Sequence, residues 1–271
     1  MMNQSIRDRI WLWGMKVNVL QAETDFSVLG FGESRMTVDD AMRRTGVSNV
    51  ILAGGLPISK ESLAAMPLAK RILCKWSLHH QVGGSNVIDY DDCLARMMDA
   101  KRLAAIDTRI DGYHIDDFST GSIEAGAQPE HLQCLLFENS VSGPRINISS
   151  TIYSMNVDQP EVHAFLPYFD QFLFPLWHAD QIDTLSDVLA RFAILSGSKP
   201  VMLCLYVYDF GNFKHIPGEL MRRHLQVAER MLIDQKIMGL CICGTCMMDL
   251  GWESNHVLYE WLDRVGDVMI A

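Results

Sequence analysis

Asp111-Gly112-Tyr113-His114-Ile115-Asp116-Asp117-Phe118 is a strand-like run that ends in two adjacent carboxylates. Ser119-Thr120-Gly121-Ser122 follows at once and reads as a loop. Carboxylates at the carboxyl end of a strand are where an α/β enzyme keeps its acids and bases. The competing reading gives one of the two Asp residues to the cap of the next helix, a common position for that side chain. The other strand ends decide between these readings.

Working outward, short apolar runs alternate with amphipathic stretches along the whole chain. The runs are Ile10–Val17, Asn49–Ala53, Arg71–Leu78, Asp111–Phe118, Arg145–Tyr153, Gln171–Trp177, Pro200–Tyr208 and Met238–Cys243. Between and after them, helices are expected over Thr37–Arg44, Ser59–Lys70, Asp91–Ile106, Pro129–Glu138, Glu161–Phe169, Thr184–Leu195, Gly218–Gln235 and Asn255–Val265. In the third of these, Leu94, Met97, Met98, Ala100 and Leu103 are spaced for one buried face. Strands alternating with helices imply a parallel sheet, because a crossover must separate parallel neighbours. Eight such units in about 250 residues is the count of a (β/α)8 TIM barrel. An open doubly wound sheet is the alternative. Gly54-Gly55 and Gly83-Gly84 are isolated pairs rather than the dinucleotide fingerprint that would favour it. With no linker or low-complexity segment, residues 1–271 are expected to form one α/β barrel domain.

The carboxyl ends of the expected strands are dense in chemistry. They carry Trp11, Trp13 and Lys16, with Glu33 in the long loop after them. Further on come Lys75-Trp76-Ser77-Leu78-His79-His80, His114-Ile115-Asp116-Asp117, Ser149–Tyr153, Trp177-His178, Tyr206-Val207-Tyr208-Asp209 and Cys243-Gly244-Thr245. The opposite ends hold Arg9, Arg71, Arg145, Lys199 and Lys236, which read as solvated loop charges. Side chains alternate along a strand. Tyr113 and Ile115 are therefore expected to face the helices, His114 and Asp116 the barrel interior, and Asp117 the rim. The same alternation separates Lys75, Ser77 and His79 from Cys74, Trp76 and Leu78. An inward Lys75 beside Asp116 reads equally as a buried ion pair.

The 271-residue chain is 49% hydrophobic and 21% charged, ordinary for a globular protein with a large core. Its net charge of −10 argues against nucleic acid or an anionic membrane as the main partner. No apolar run is long enough to cross a bilayer, and no signal peptide is evident, so a cytoplasmic location is expected. The seven cysteines are odd in number and mostly sit in apolar runs, which suggests buried thiols rather than disulfides. Cys241, Cys243 and Cys246 lack a second pair with zinc-site spacing, so no metal or cofactor is expected there.

The segment Asp111-Gly112-x-x-Ile115-Asp116-x-Phe118 resembles the fourth-strand signature of barrel glycoside hydrolases. In family 18 chitinases that strand reads Asp-Gly-x-Asp-x-Asp-x-Glu. Here His114 takes the middle Asp position and Phe118 the Glu position, so the chitinase mechanism is not implied. The resemblance implies a glycosidase-like barrel with an Asp-Asp strand end.

The expected function is therefore that of a glycoside-hydrolase-like enzyme acting on a carbohydrate. Cleavage of a glycosidic bond needs one protonated and one ionised carboxyl group. Asp116 and Asp117 supply one side of the bond, and Asp209 or Glu33 the other. The flat rings of Trp13, Trp76, Trp177, Tyr153, Tyr206 and Tyr208, with His79, His114 and His178, suit the apolar faces and hydroxyls of sugars. Two alternatives stay open. One is a metal-dependent sugar isomerase or epimerase liganding metal through His79, His114 and Asp116. The other is a non-catalytic carbohydrate-binding barrel.

Overall fold

The computed structural model describes residues 4–15, 34–53 and 58–270. The chain enters through β1 (Gln4–Ser5) and β2 (Ile10–Gly14), then α1 (Val38–Thr45), β3 (Asn49–Leu52) and α2 (Lys60–Ala64). Next come β4 (Arg71–Ser77), a hairpin of β5 (His79–Val82) and β6 (Ser85–Ile88), and α3 (Tyr90–Ala104). β7 (Ile110–Asp116), α4 (Pro129–Val141), β8 (Asn147–Thr151), α5 (Pro160–His163), β9 (Gln171–Pro175) and α6 (Leu185–Leu195) follow. The last part holds β10 (Val201–Tyr206), the short pair β11 (Tyr208–Asp209) and β12 (Lys214–His215), α7 (Gly218–Ile233), β13 (Gly239–Cys243), α8 (Glu253–Val265) and β14 (Met269–Ile270). Among the described residues, no helix is long and apolar enough to cross a membrane.

Eight of these strands close a parallel barrel in the order β2-β3-β4-β7-β8-β9-β10-β13 and back to β2. This is the (β/α)8 fold expected from the alternating pattern. Its core has two parts. Residues facing the helices, such as Tyr113, Ile115, Phe172 and Leu203, form the large cluster between sheet and helix layer. Residues facing inward, among them Trp11, Ile51, Leu73, Leu173 and Cys241, fill the barrel itself.

The element ends follow local chemistry. Thr37 caps α1 through a reciprocal bond with Asp40, as the Thr-Val-Asp-Asp start suggests. α2 stops at Ala64, short of the expected Lys70, because Pro67 lies just beyond and disfavours helix before it. Pro167 likewise divides the expected Glu161–Phe169 helix into α5 and a 3-10 turn. Two hairpins were not expected. β5–β6 turns on Gly83 and Gly84, with φ of 58° and 84°. Two consecutive positive values are what a tight hairpin turn needs, and glycine meets them without strain. β11–β12 is the second, after β10.

Gly112, the second residue of the deciding motif, marks a close approach. A Cβ there would lie 2.5 Å from the backbone oxygen of Asn147 on β8 and 3.0 Å from Leu73 on β4. The β4–β7 register also shifts near this point, between Ile72 and Leu73. Gly112→Ala is expected to destabilise the protein by about 1–3 kcal/mol, the usual cost of overpacking. Urea unfolding checks it, and an unchanged midpoint would mean that the strands can part at no cost.

Candidate active site at the carboxyl end of the barrel

β4 and β7 pair with Lys75 opposite His114 and Ser77 opposite Asp116. β7 and β8 pair with His114 opposite Ser149. These registers place Lys75, His114, Asp116, Ser149 and Thr151 on the inner face near the carboxyl ends, above the apolar filling. Lys75 Nζ lies 3.1 Å from Asp116 Oδ2. Thr151 donates its hydroxyl to Asp116 Oδ1 at 3.0 Å. Because that hydroxyl is spent on the carboxylate, its oxygen accepts from His114 Nε2–H at 2.9 Å. His114 Nδ1 then accepts from Ser149 at 2.8 Å. The neutral imidazole this requires is favoured by burial, which brings the His114 pKa down to about 4. Trp13 closes over the ring edge-on at 5.6 Å.

Burial, the largest single influence, pushes the Asp116 carboxyl up, but the Lys75 ammonium, His114 and the hydrogen bonds from Lys75 and Thr151 together hold its pKa below the ordinary carboxylate value. Burial would likewise lower Lys75, yet Asp116 and then Asp117 leave it raised. The pair is therefore charged on both sides.

Asp117 leaves the strand. Its φ of 47° and ψ of 34° lie in the left-handed region, which Asp tolerates better than most residues. Gly121 and Ser122 donate backbone N–H groups to its carbonyl at 2.8 and 3.2 Å, closing a π-turn over Phe118–Ser122. That turn re-aims the carboxyl from the helix side, where alternation would send it, to the mouth. There Tyr153 donates its hydroxyl to Asp117 Oδ1 at 2.5 Å. The Asp116 charge, then burial, raise Asp117 to about 6, against the opposing pull of Tyr153 and Lys75. Phe118, at the position of the chitinase Glu, is fully buried against Phe165 and Phe169, each 5.1 Å away. It anchors the turn in the helix layer.

The remaining expected residues divide. Tyr153, Trp177 and Tyr206 form an aromatic wall around Phe210, a residue the sequence reading passed over. Tyr153 meets Trp177 edge-on at 5.1 Å, Trp177 stacks on Phe210 at 6.4 Å, and Tyr206 meets Phe210 at 4.9 Å. His178 packs against Gly211, where a Cβ would come within 2.4 Å of its Nδ1. Tyr208 is buried among Phe210, His215 and Trp252, away from the interior. Asp209 is 1% exposed. Its two oxygens accept from Asn212, from the backbone at 3.1 Å and the side chain at 2.9 Å. Asp209, expected across the mouth from Asp117, is thus held by its own turn, beside His224 of α7. Trp76 gives its indole N–H to Asp92 at 2.6 Å, and Arg96 covers its ring at 4.9 Å. Glu33 and Lys16 lie outside the described residues.

His79 bonds Ser122 at 3.0 Å and abuts Gly121, while both nitrogens of His114 are taken by hydroxyls. The imagined metal trio of His79, His114 and Asp116 is therefore not assembled. Among the described residues no group of three or more His, Cys, Asp or Glu is placed to hold a metal ion. Those residues include all seven cysteines, and no disulfide links any of them.

No protein-family model matches the chain, and neither does any curated protein. Solved structures do. The chain is similar to a glycoside hydrolase family 17 β-1,3-glucanosyltransferase from Rhizomucor miehei, with a TM-score of 0.55 and 15% identity over 89% of this chain and 88% of that one. It is similar to the PgaB (BpsB) glycoside hydrolase domain from Bordetella bronchiseptica, with a TM-score of 0.55 and 13% identity over 96% and 99%. A β-glucuronidase from Bacteroides uniformis gives a TM-score of 0.54 and 9% identity, covering 89% of this chain but only 30% of that one. At such identities the likeness is one of fold. The barrel is one that glycoside hydrolases use.

The raised Asp117 has a stability consequence with a definite sign. Its folded pKa of about 6 exceeds the ordinary 3.8, so its contribution is fully present below pH 3.8 and is lost as pH rises through 6. Relative to Asp117→Asn, the wild-type protein should lose stability between about pH 4 and 6 and then level off. Parallel urea stabilities of the two proteins across that range would show that Asp117 is not raised.

Proposed function

We propose that the protein is a glycoside-hydrolase-like enzyme that acts on a carbohydrate at the carboxyl end of its barrel, with Asp117 as the general acid. The observation that carries this reading is the split between two adjacent carboxyls. Asp116 is kept ionised by Lys75, and Asp117 is raised to about 6. Groups whose environments push their proton affinities apart are how one site holds an acid and an anion together. Glycoside hydrolysis asks for that combination.

In this reading Asp117 protonates the departing glycosidic oxygen through Oδ2, its Oδ1 being held by Tyr153. The fixed charge of Asp116 lies beside the positive charge that develops on the sugar. Water then adds its oxygen to the anomeric carbon and gives its proton to the now ionised Asp117, which restores the acid. Tyr153, Trp177 and Tyr206, with Phe210, offer the apolar surface on which a sugar ring stacks. Trp13 and His114 form the floor under the carboxylates rather than a contact surface, since His114 has no exposure. Asp209 and His178 act through the turn that carries Phe210 to the wall. The glycosidic chemistry in the names of the fold neighbours supports the substrate class. No metal or cofactor enters the scheme.

Asp117→Asn should lower turnover of a cleavable glycoside by about 10²–10⁴, the usual worth of a general acid. The loss should shrink on aryl glycosides whose leaving group departs unprotonated. Steady-state kinetics on a graded set of leaving groups checks this, with circular dichroism as the control for folding. Wild-type turnover by Asp117→Asn on a poor leaving group would place the acid elsewhere. Glycan binding without turnover by the unmutated protein would favour the binding-only barrel.

A further inference from the structure

The mouth of the barrel is built differently on the two sides of Asp117. Toward β8, β9 and β10 stands the aromatic wall. Toward β4 lies a cavity of about 290 Å3, lined by Lys75, Trp76, Ser77, His80, Asp89 and Asp92 among others. The barrel order puts β7, which ends in the two carboxylates, between these regions. Lys75 belongs to both, since it lines the cavity and meets Asp116 at 3.1 Å.

We propose that this cavity is a second carbohydrate subsite, which holds the sugar unit across the scissile bond from the unit at the aromatic wall. The substrate is then an oligosaccharide rather than a glycoside of a small aglycone. This rests on the carbohydrate reading above and extends it. The size is near the lower end of ligand pockets, about 300–1,000 Å3, so it suits a single ring rather than a length of chain.

The chemistry suits a neutral polyol. Ser77 offers a hydroxyl, and Lys75 has donors beyond the one aimed at Asp116. Asp89 and Asp92 are held in place, with spare acceptor capacity. Asp89 caps α3 through the Asp92 N–H at 3.1 Å and meets His80 at 3.2 Å. Asp92 accepts from Trp76 and pairs with Arg96 at 3.0 Å. Lys75, the ammonium at the cavity, already faces Asp116, so an anionic ligand would compete for it while a hydroxylated one would not. Trp76 also lines the cavity, held by its bond to Asp92 and by Arg96 on its ring, so the apolar surface it gives the cavity is preordered. Preordered polar groups around one flat ring are what sugar recognition draws on, and they stand next to the reacting carboxyls.

The test measures binding by calorimetry to the Asp117→Asn protein, whose slowed turnover leaves the ligand largely intact during the measurement. The probes are neutral, acidic and amino oligosaccharides, each series running from monosaccharide to tetrasaccharide. The proposal expects one neutral series in which the disaccharide or trisaccharide binds at least about tenfold more tightly than the monosaccharide, the worth of one or two good hydrogen bonds. Adding His80→Ala, a half-exposed position whose loss leaves the core intact, should remove most of that gain. Trp76→Ala should do the same. A gain with length that survives both substitutions overturns the subsite while leaving the carbohydrate reading standing. So does a monosaccharide that binds with no gain from added units. Binding by no member of the panel overturns both.

Discussion

The contact between Lys75 and Asp116 is the interaction on which the rest of the mouth depends. It places a charged pair inside a barrel whose lower filling is apolar. Such a pair persists only when its remaining hydrogen bonds are met, and breaking one partner typically costs about 3–5 kcal/mol. Thr151 meets one of them and passes the constraint through His114 to Ser149. The outcome is a carboxylate fixed in charge and position. Everything proposed for Asp117 follows from having that fixed charge next to it in the chain. With Asp116 neutral, the largest influence raising Asp117 would be gone, leaving burial against the Tyr153 hydrogen bond.

The backbone does the second half of the work. A strand continuing past Asp116 would turn Asp117 toward the helices. The left-handed residue and the π-turn after it, with Phe118 locked between Phe165 and Phe169, bring the carboxyl round to Tyr153 instead. Irregular, sparsely populated backbone at a strand end is a frequent mark of a functional position. Here it coincides with a shifted acid, and the coincidence is stronger than either feature alone.

Much of this was legible in the sequence because the decisive patterns have short periods. The alternation of runs gave eight strands in the right order, and the two-residue period of β7 sorted Tyr113 and Ile115 from His114 and Asp116. The inward Lys75 was legible for the same reason. What escaped depends on turns and on competition between side chains. The Gly83-Gly84 hairpin had a signal that was read only as a missing nucleotide fingerprint. Asn212, three residues after Asp209, is well placed to capture that carboxylate, as short polar side chains do around tight turns. No periodicity reports which neighbour holds a carboxylate. Trp76 is similar. Its outward register was clear, but its bond to Asp92 needed the helix to be in place.

The fold neighbours share a scaffold at 9–15% identity, so they say where a site sits and not which groups do the chemistry. The chemistry rests on the carboxyl pair. The most direct test is a 13C NMR titration of the Asp117 carboxyl in the wild-type protein and in Asp116→Asn. The account predicts a midpoint near 6 in the wild type and a fall toward the ordinary aspartate range once the neighbouring charge is removed. A wild-type Asp117 that titrates near 4, unmoved by Asp116→Asn, would contradict it.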